Sequence, residues 1–329
     1  MTLDNILRLS QEELFQALFL EHKYDAVNEE GPFLLIEGEA PVLLVAHLDT
    51  VHEEEVKTIC RSDDRNILMS PEGIGGDDRC GVYALETVYK QATVKPWLLY
   101  TCDEEIGGVG AQEFAKMYEE KTLPEDLIAS LSGIKLIIEL DRKGSHEAVY
   151  YDCDDKELEA YITSKGFKTD QGSFSDISFI APAMGISAAN LSSGYYNAHN
   201  RHEYINIAEM NHVIQKVLEI VDESNRESFP AYRYKSKPCN GFAPFGSVRS
   251  IWNDFPYYRN DTSIIPDDLP SELTEPYELL LDIYTKRELE DLRKDMGDDI
   301  IATLYEEEYG EPVEGYAHSL PGSDNRTVS

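Results

Sequence analysis

Short apolar runs alternate with helix-patterned segments along the first 225 residues, and this alternation constrains the fold more than any other feature. The runs "VLLVAHLD", "PWLLYT", "IKLIIELD" and "ISAANLSS" have the length and composition of buried strands. The segments "RCGVYALETVYKQA", "GAQEFAKMYEE", "FSDISFIAPAMG" and "NIAEMNHVIQKVLEIVDE" favour helices. Strands that alternate with helices predict an α/β domain with a largely parallel sheet.

Two further patterns complete the outline of this domain. "FLLIEGEAPVLLVAH" contains two apolar runs separated by "EGEA", which predicts a hairpin or paired strands. Near the N-terminus, Ser10 and Glu13 fit a capping box, which predicts the start of a helix.

The chain changes character after residue 225, and we predict a main α/β domain over 1–225 and an acidic extension over 226–329. The extension begins with a stretch rich in Pro, Asn and aromatic residues, which predicts an irregular segment packed on the domain or forming a wall of the site. One or two amphipathic helices and a frayed tail, "AHSLPGSDNRTVS", follow. Its role is left open between a partner-binding appendage, a cover for the site and solubilising acidic structure.

Charge and cysteine content exclude several classes of protein. The 63 acidic and 29 basic side chains give a formal net charge of −34, which repels nucleic acid and anionic membrane surfaces. The N-terminus is acidic and helix-patterned, no apolar run reaches membrane-spanning length, and we therefore expect a cytoplasmic protein. The five scattered cysteines form no CxxC pair, so we expect reduced thiols rather than a disulfide framework or a structural zinc site.

Polar side chains stand where the predicted strands end. These residues are His47 and Asp49, Glu104 and Glu105, Asp141, His199, and the pair Asp77 and Asp78 that begins a helix. Functional groups in open α/β sheets gather at the carboxyl ends of strands. Several carboxylates crowded there repel one another unless a cation compensates. Two histidines among carboxylates suit zinc, manganese or cobalt, and the number of carboxylates indicates two ions.

The ordered motifs "AHLDTV", "GGDDRCG", "CDEEIGGVGA", "ELD" and "YYNAHNRHEYI" resemble those of the di-zinc exopeptidase superfamily, which contains zinc aminopeptidases, peptidase T and carboxypeptidase G. The resemblance covers roughly the first two thirds of the chain. It implies a three-layer α/β/α fold with a central, mostly parallel mixed sheet. The short gaps between the motifs leave no room for an inserted lid domain, as in the compact aminopeptidase branch.

The resemblance also implies a ligand for each ion. Asp77 would bridge two divalent ions, and the peptide bond that joins it to Asp78 would be cis. The ions would most simply be Zn²⁺, with Mn²⁺ or Co²⁺ as alternatives. One ion would take Asp77, Glu105 and His199; the other would take Asp77, His47 and Asp141. For the last ligand, His202 competes with His199. The family pattern favours His199, because it places a Glu four residues after the ligand, as Glu203 stands here.

The same resemblance implies amide hydrolysis. Glu104 would be the general base acting on a water shared by the ions, and Asp49 would orient His47 through a hydrogen bond. The expected enzyme is a zinc metallopeptidase, an exopeptidase of the aminopeptidase type acting on small peptides. The alternatives are a deacylase or amidase acting on an N-acyl amino acid, and a non-catalytic relative that binds a partner.

Several residues near the motifs have simpler interpretations. His52 and His146 are expected at the surface. Asp176, in "SFSDISF", matches an element of the aminopeptidase branch, but a helix N-cap explains it equally well. A cysteine hydrolase built on Cys80 or Cys102 is disfavoured, because nearby carboxylates raise a thiol pKa and suppress the thiolate.

Overall fold

The chain forms two compact units, Met1–Val248 and Arg249–Ser329. The computed structural model describes residues 1–52, 54–237, 269–280, 289, 293, 297–309 and 313. The predicted division at residue 225 stays a prediction. Within the first unit, residues 226–237 pack on the preceding domain: Phe229 and Tyr232 belong to its hydrophobic core, and Arg233 and Ser236 form backbone bridges with Ile186 and Cys153.

The strands of the first unit are, in chain order, β1 (Phe33–Ile36), β2 (Val42–His47), β3 (Cys60–Arg61), β4 (Ile67–Met69), β5 (Trp97–Thr101), β6 (Leu136–Arg142), β7 (Glu147–Val149), β8 (Lys168–Thr169), β9 (Ala188–Ser192), β10 (Tyr195–Tyr196) and β11 (Tyr204–Asn206). The helices are α1 (Leu3–Ile6), α2 (Gln11–Glu21), α3 (Gly76–Gln91), α4 (Val109–Glu119), α5 (Glu125–Leu131), α6 (Lys156–Ser164), α7 (Ile177–Met184) and α8 (Ile207–Ser224). The predicted capping box begins α2, with reciprocal hydrogen bonds between Ser10 and Glu13.

Seven strands form the main sheet, in the order β1-β5-β2-β6-β9-β7-β8. The central strands β5, β2, β6 and β9 are parallel, whereas β1 and β7 pair antiparallel with β5 and β9. All six residues of β2 are buried, and because alternate side chains of a strand point to opposite faces, both faces of the sheet are covered. Helix α3 contacts β2, β6, α1 and α8, while α4 and α7 contact each other, α4 contacts β1 and β5, and α7 contacts β6 and β9. The predicted α/β fold with a mostly parallel mixed sheet is confirmed.

The predicted pairing of the first two apolar runs is wrong. Strand β5 lies between β1 and β2 and hydrogen bonds to both. The linker between the runs fixes this arrangement, since the backbone N–H groups of Glu39 and Ala40 both donate to the carbonyl of Lys95, just before β5. Neighbouring strands in sequence often pair in space, and here the insertion of β5 overrides that tendency.

A second, four-stranded sheet has the order β10-β11-β4-β3, and its pairs are antiparallel. Strands β10 and β11 form a hairpin in which Tyr195 pairs with Ile205. Ile205 in turn pairs with Leu68 of β4. No pattern in the sequence predicted this sheet, which positions the connection between β10 and β11 beside the N-terminus of α3.

The second unit has a small core of its own in its described residues. It contains a short 3₁₀ helix over Ser271–Leu273 and helices over Thr274–Leu280 and Asp299–Tyr309. Its buried residues are Leu273, Tyr277, Leu280, Leu289, Ile301, Ala302 and Val313. The predicted irregular segment lies mostly, and the predicted tail entirely, outside the described residues. Among the described residues no helix is long and apolar enough to cross a membrane.

Candidate metal centre

The parallel strands bring acids and histidines to one edge of the main sheet. His47 is the last residue of β2 and pairs in register with Thr101, the last residue of β5. Glu104 and Glu105 lie three and four residues beyond the end of β5, and Asp141 lies near the end of β6, the other neighbour of β2. Because these strands run in the same direction, their carboxyl ends meet, and the side chains that follow them converge.

The fourth group enters from the start of α3. Asp77 and Asp78 have non-helical backbone angles within the first turn, and the peptide bond between them is cis, as the resemblance implied. Gly75 precedes them with φ +62°, a left-handed conformation that glycine adopts without strain. Asp78 is fully buried and accepts the N–H of Gly81 at 3.0 Å. Burial and the charge of Asp141 raise the pKa of Asp78 well above its ordinary value.

His199 comes from the connection between β10 and β11, where its φ is +60°. Its Nε2 atom lies 3.0 Å from Oε2 of Glu105 and 3.3 Å from Oδ2 of Asp77. The competing residue His202 is exposed, and its backbone N–H donates to Asn200. The structure therefore brings His199, and not His202, to the carboxylates.

Two ligand sets meet at Asp77. The first, which we call the inner set, consists of His47, Asp77 and Asp141; Nε2 of His47 lies 3.3 Å from Oδ1 of Asp77 and 3.6 Å from Oδ1 of Asp141. The second, the outer set, consists of Asp77, Glu105 and His199. The ligand atoms of each set lie within 4.8 Å of one another. Asp77 uses one carboxylate oxygen toward each set, which is the geometry required of a bridging ligand.

Asp49 lies behind the inner set and holds three groups at once. Its Oδ1 atom is 3.2 Å from Nδ1 of His47 and accepts the N–H of Glu104 at 3.0 Å, while Oδ2 accepts the N–H of Glu105 at 3.0 Å. Burial alone would raise the pKa of Asp49, but the bond to His47 and the two backbone bonds outweigh it and lower the pKa. An ionised carboxylate in this position fixes the tautomer and orientation of His47.

Glu104 has an environment unlike that of Asp49. A carboxylate oxygen of Glu104 lies within 4.8 Å of ligand atoms of His47 and Glu105. Burial, together with the charges of Asp141, Asp176 and Glu105, raises the pKa of Glu104 well above its ordinary value, against a smaller lowering by His47. A carboxylate with raised proton affinity is suited to general base chemistry.

The charges of the cluster favour a bound cation. Burial and the neighbouring charge of Asp77 raise the pKa of Asp141 to about 7. Hydrogen bonds to Asp77 and Glu105 raise the pKa of His199 to about 10. Burial opposes the charging of His47, yet its bonds to Asp141, Asp49 and Asp77 raise its pKa well above the ordinary value. All three shifts favour added positive charge, which a bound cation would also supply.

The donor atoms also fit a metal by type. Imidazole nitrogen and carboxylate oxygen are ligands of zinc, manganese and cobalt. Oε1 of Glu105 is buried and has no hydrogen-bond partner among the described residues, so it is available as a ligand atom. The residues present therefore fit two divalent cations.

Sequence reasoning missed a layer of polar residues behind Asp141. Oγ of Ser175 lies 2.5 Å from Oε2 of Glu139 and 3.2 Å from Oδ2 of Asp141, so these two carboxyl groups share its single O–H donor, and the side-chain amide of Asn190 donates to the carbonyl of Asp141. Tyr195 donates its hydroxyl to Oδ1 of Asp141 at 3.2 Å. Glu139 shares a strand face with Asp141 because it lies two residues earlier in β6. That spacing was the one signal in the sequence for its position.

Two interpretations of single residues need correction. Asp176 makes no side-chain cap bond; its buried carboxylate accepts the hydroxyl of Thr101, and burial raises its pKa to about 6. His52 is not a surface residue: its side chain is 11% exposed, and Nε2 lies 2.8 Å from Oε2 of Glu203. By contrast, His146 is exposed, as expected.

Cys80 and Cys102, the two cysteines beside the acid motifs, do not offer a competing nucleophile. Cys60, Cys80, Cys102 and Cys153 are free, and Cys239 lies outside the described residues. Burial and the charges of neighbouring carboxylates raise the pKa of Cys80 well above its ordinary value and that of Cys102 to about 12. Both thiols therefore stay protonated near neutral pH.

Comparison with known sequences gives a short match. No protein family model matches the chain. A segment of 104 residues is 34% identical to a probable carboxypeptidase from Emericella nidulans, covering 30% of this chain and 24% of that protein. The match thus spans about a quarter of the length of the curated relative.

Comparison of structures identifies the class of fold. A TET aminopeptidase from a marine sediment archaeon of the Thaumarchaeota aligns with a TM-score of 0.50 and 11% identity over 66% of this chain and 94% of that one. A tripeptidase from Staphylococcus aureus aligns with a TM-score of 0.49 and 13% identity over 68% of this chain and 96% of that one. The chain has the α/β fold of the TET aminopeptidase, which is the kind of fold that the resemblance implied.

Proposed function

We propose that this protein is a di-metal hydrolase that cleaves amide bonds, as an exopeptidase of the aminopeptidase type. One observation carries the proposal: the two carboxylate oxygens of Asp77 face two separate ligand sets, each completed by a histidine and a second carboxylate. A structural cation site needs neither a shared carboxylate nor a further acid beside it. The fold shared with the TET aminopeptidase supports the same conclusion.

The inner and outer sets would hold one divalent ion each, with Zn²⁺ as the first choice and Mn²⁺ or Co²⁺ as alternatives. When bound, such ions supply positive charge that lowers the pKa of a water molecule and stabilises the negative charge developing on a carbonyl oxygen. Asp49 keeps His47 in the orientation in which Nε2 faces Asp77 and Asp141.

Glu104 is the proposed general base. As the oxygen of water bonds to the scissile carbonyl carbon, one carboxylate oxygen of Glu104 takes a proton from that water. The carbon–nitrogen bond then breaks, and Glu104 returns the proton to the departing amine. Glu104 thus accepts the proton in the first half of the transfer and donates it in the second.

Small peptides are the proposed substrates, and N-acyl amino acids are the second candidates. Nucleic acid and membrane partners are not part of the proposal, given the formal net charge of −34. We place the enzyme in the cytoplasm, a location supported by the free thiols of the described cysteines.

The test combines metal content with activity in wild type, Asp77→Ala and Glu104→Gln. We expect about two metal equivalents per chain in the wild type and a sharp fall in Asp77→Ala. Glu104→Gln should keep its metal and lose about 10²- to 10⁴-fold in activity. Aminoacyl and N-acyl substrates assayed side by side decide between peptidase and deacylase. A wild type that binds no divalent ion after reconstitution would refute the proposal, and full metal loading with no hydrolysis of any amide would favour a binding protein.

A further inference from the structure

Glu203 is a fully buried carboxylate that bonds to two other loops of the candidate site. Its Oε1 atom accepts the backbone N–H of Asp77 at 2.8 Å, and its Oε2 atom accepts the backbone N–H of Gly75 at 3.0 Å. Nε2 of His52 lies 2.8 Å from the same Oε2 atom. One side chain thus serves three hydrogen-bond partners.

Each of the three connected segments carries a ligand of the two sets. His52 follows β2, which ends in His47; Gly75 leads into Asp77; and Glu203 itself ends the turn that begins after His199. The backbone N–H of Glu203 donates to the carbonyl of Asn200 and closes that turn. These segments are distant in sequence, and the bonds of Glu203 tie them together at a point behind the ligand atoms.

The packing around these bonds leaves little space for rearrangement. A Cβ atom added to Gly73 would lie 2.4 Å from Nδ1 of His52. A Cβ atom added to Gly76 would lie 3.2 Å from Oε1 of Glu203 and 2.8 Å from Cβ of Tyr195. The glycines before Asp77 allow the backbone to approach both side chains closely, and this approach is what makes the bonds to Glu203 possible.

The hydrogen bonds of Glu203 require a carboxylate at this position and a donor in the side chain of residue 52. A carboxylate offers two acceptor oxygens, whereas a glutamine offers one acceptor and would aim its NH₂ group at a backbone N–H. When Glu203 is ionised, Nε2 of His52 is the donor to Oε2, which already accepts the N–H of Gly75. Without His52, Oε2 would keep only the N–H of Gly75, so a buried carboxylate would have one hydrogen bond fewer, and the contact would loosen.

We propose that Glu203 and His52 form a positioning clamp that holds Asp77 where its two oxygens reach the inner and outer sets. The clamp touches the backbone of Asp77 and not the reacting atoms, so its members are positioning residues. The inference rests on the proposed di-metal function for its effect on activity, but its effect on the loop is independent of that function.

The test compares His52→Leu, which removes the donor, with His52→Gln, which keeps an N–H donor at similar reach. A matched control is available in the same protein: His22 and Glu86 form another buried pair, 2.6 Å apart, between α2 and α3. His22→Leu removes a comparable bond without touching any residue of either ligand set. All variants are full-length, and thermal unfolding verifies that each one folds.

Three readouts separate positioning from general stability. Titration with Mn²⁺ gives the affinity and stoichiometry of the ions, the substrate assay gives kcat and KM, and amide hydrogen exchange follows the N–H groups of Gly75 and Asp77. We expect His52→Leu to lose about 10- to 100-fold in metal affinity, the usual effect of removing an outer-shell partner. Its kcat should fall with little change in KM, and the two amides should exchange faster. His52→Gln should recover most of each loss, and His22→Leu should lower only the thermal midpoint.

The outcomes distinguish this inference from the proposed function. Wild-type metal affinity in His52→Leu, or equal losses in His52→Leu and His22→Leu, would overturn the clamp and leave the metal centre standing. If the wild type binds neither Mn²⁺ nor Zn²⁺ nor Co²⁺ after reconstitution, the proposed function fails, and the clamp is judged by hydrogen exchange. Faster exchange at Gly75 and Asp77 in His52→Leu alone would then support it, and unchanged exchange would overturn it.

Discussion

The inner and outer ligand sets share Asp77 but are built in different ways. His47 of the inner set ends a central strand, and its side chain is 1% exposed. His199 of the outer set lies on a connection between two short strands, with a positive φ, and its side chain is 56% exposed. The inner set is part of the sheet, whereas the outer set depends on a loop held beside it.

The second carboxylate of each set, Asp141 in the inner set and Glu105 in the outer set, differs in the same way. Asp141 accepts hydrogen bonds from Ser175 and Tyr195, and it stands on a strand that pairs with β2. Glu105 follows the end of β5, and its Oε1 atom has no partner among the residues that the structure describes. A ligand that is fixed before binding loses less conformational freedom when the ion arrives. We therefore expect the inner set to hold its ion more tightly and the outer set to exchange its ion more readily.

The largest effect is expected when the histidine of each set is removed in turn. His47→Ala leaves the buried Asp77 and the partly buried Asp141 and Glu104 without their imidazole neighbour, and we expect it to weaken metal binding by more than about 100-fold, beyond the loss typical of an outer-shell change. His199→Ala should keep about one ion per chain after dialysis, because the inner set stays intact. Elemental analysis of both variants measures this difference. Equal metal content in His47→Ala and His199→Ala would contradict the proposed difference between the inner and outer sets.

Asp49→Asn should have the next largest effect, because Asp49 serves both halves of the site. Asparagine keeps one carbonyl acceptor and turns an NH₂ group toward the backbone N–H of Glu104 or Glu105. We expect a loss of about 10- to 100-fold in metal affinity or activity. Asp103→Asn is the matched control, since the neighbouring acid Asp103 bonds to Gln11 and belongs to neither set. If Asp103→Asn loses as much metal affinity or activity as Asp49→Asn, the specific role of Asp49 is contradicted.

The inner set was largely readable from the sequence, and the reason is periodicity. Strands such as "VLLVAH" and "KLIIELD" are apolar on both faces, so their ends are well marked, and parallel strands place those ends at one edge. The pattern of the sequence alone therefore predicts that His47, Glu104, Glu105 and Asp141 lie together. The roles assigned to these residues stay predictions.

The supports of the site were not readable, because they depend on contacts between distant segments. His52 and Glu203 are 151 residues apart, and neither has a neighbouring pattern that points to the other. The small sheet that carries His199 consists of two- and three-residue strands, which are too short to show a period. Asp176 stands where an N-cap is expected, yet its side chain bonds to Thr101 of β5, and tertiary packing overrides the local preference.

Ser175→Ala tests the inner set separately from the outer set. The hydroxyl of Ser175 is a donor shared by the buried Glu139 and the partly buried Asp141, so its removal takes one hydrogen bond from this pair of carboxyl groups. We expect a stability loss of about 1 to 3 kcal/mol, with weaker binding of the inner ion only. Ser224→Ala is the control, because the buried hydroxyl of Ser224 donates only to the carbonyl of Val221. Denaturant unfolding and metal titration together measure both effects, and a change confined to the outer ion would contradict the assignment.

The smallest effect on metal binding is expected from a substitution in the pair His22 and Glu86, which is remote from the two ligand sets. This pair is the control for a buried acid that contacts a histidine outside a metal site. Burial alone would raise the pKa of Glu86, but its bonds to His22 and Tyr100 outweigh burial and lower the pKa below 4.5. A carboxyl whose pKa is lowered by folding stabilises the protein above its unfolded pKa, and this stabilisation is lost as the pH falls through the folded pKa. Glu86→Gln should therefore lower stability by about 1 to 3 kcal/mol at pH 7, and the gap from wild type should narrow below pH 4.5. Urea unfolding across this pH range measures the difference in stability between the variant and the wild type.

The metal content of Glu86→Gln should be unchanged, because this buried histidine–acid pair stabilises the fold without making a metal site. A Glu86→Gln protein that loses metal would show that the two ligand sets are coupled to the whole core and not held by their own strands and loops.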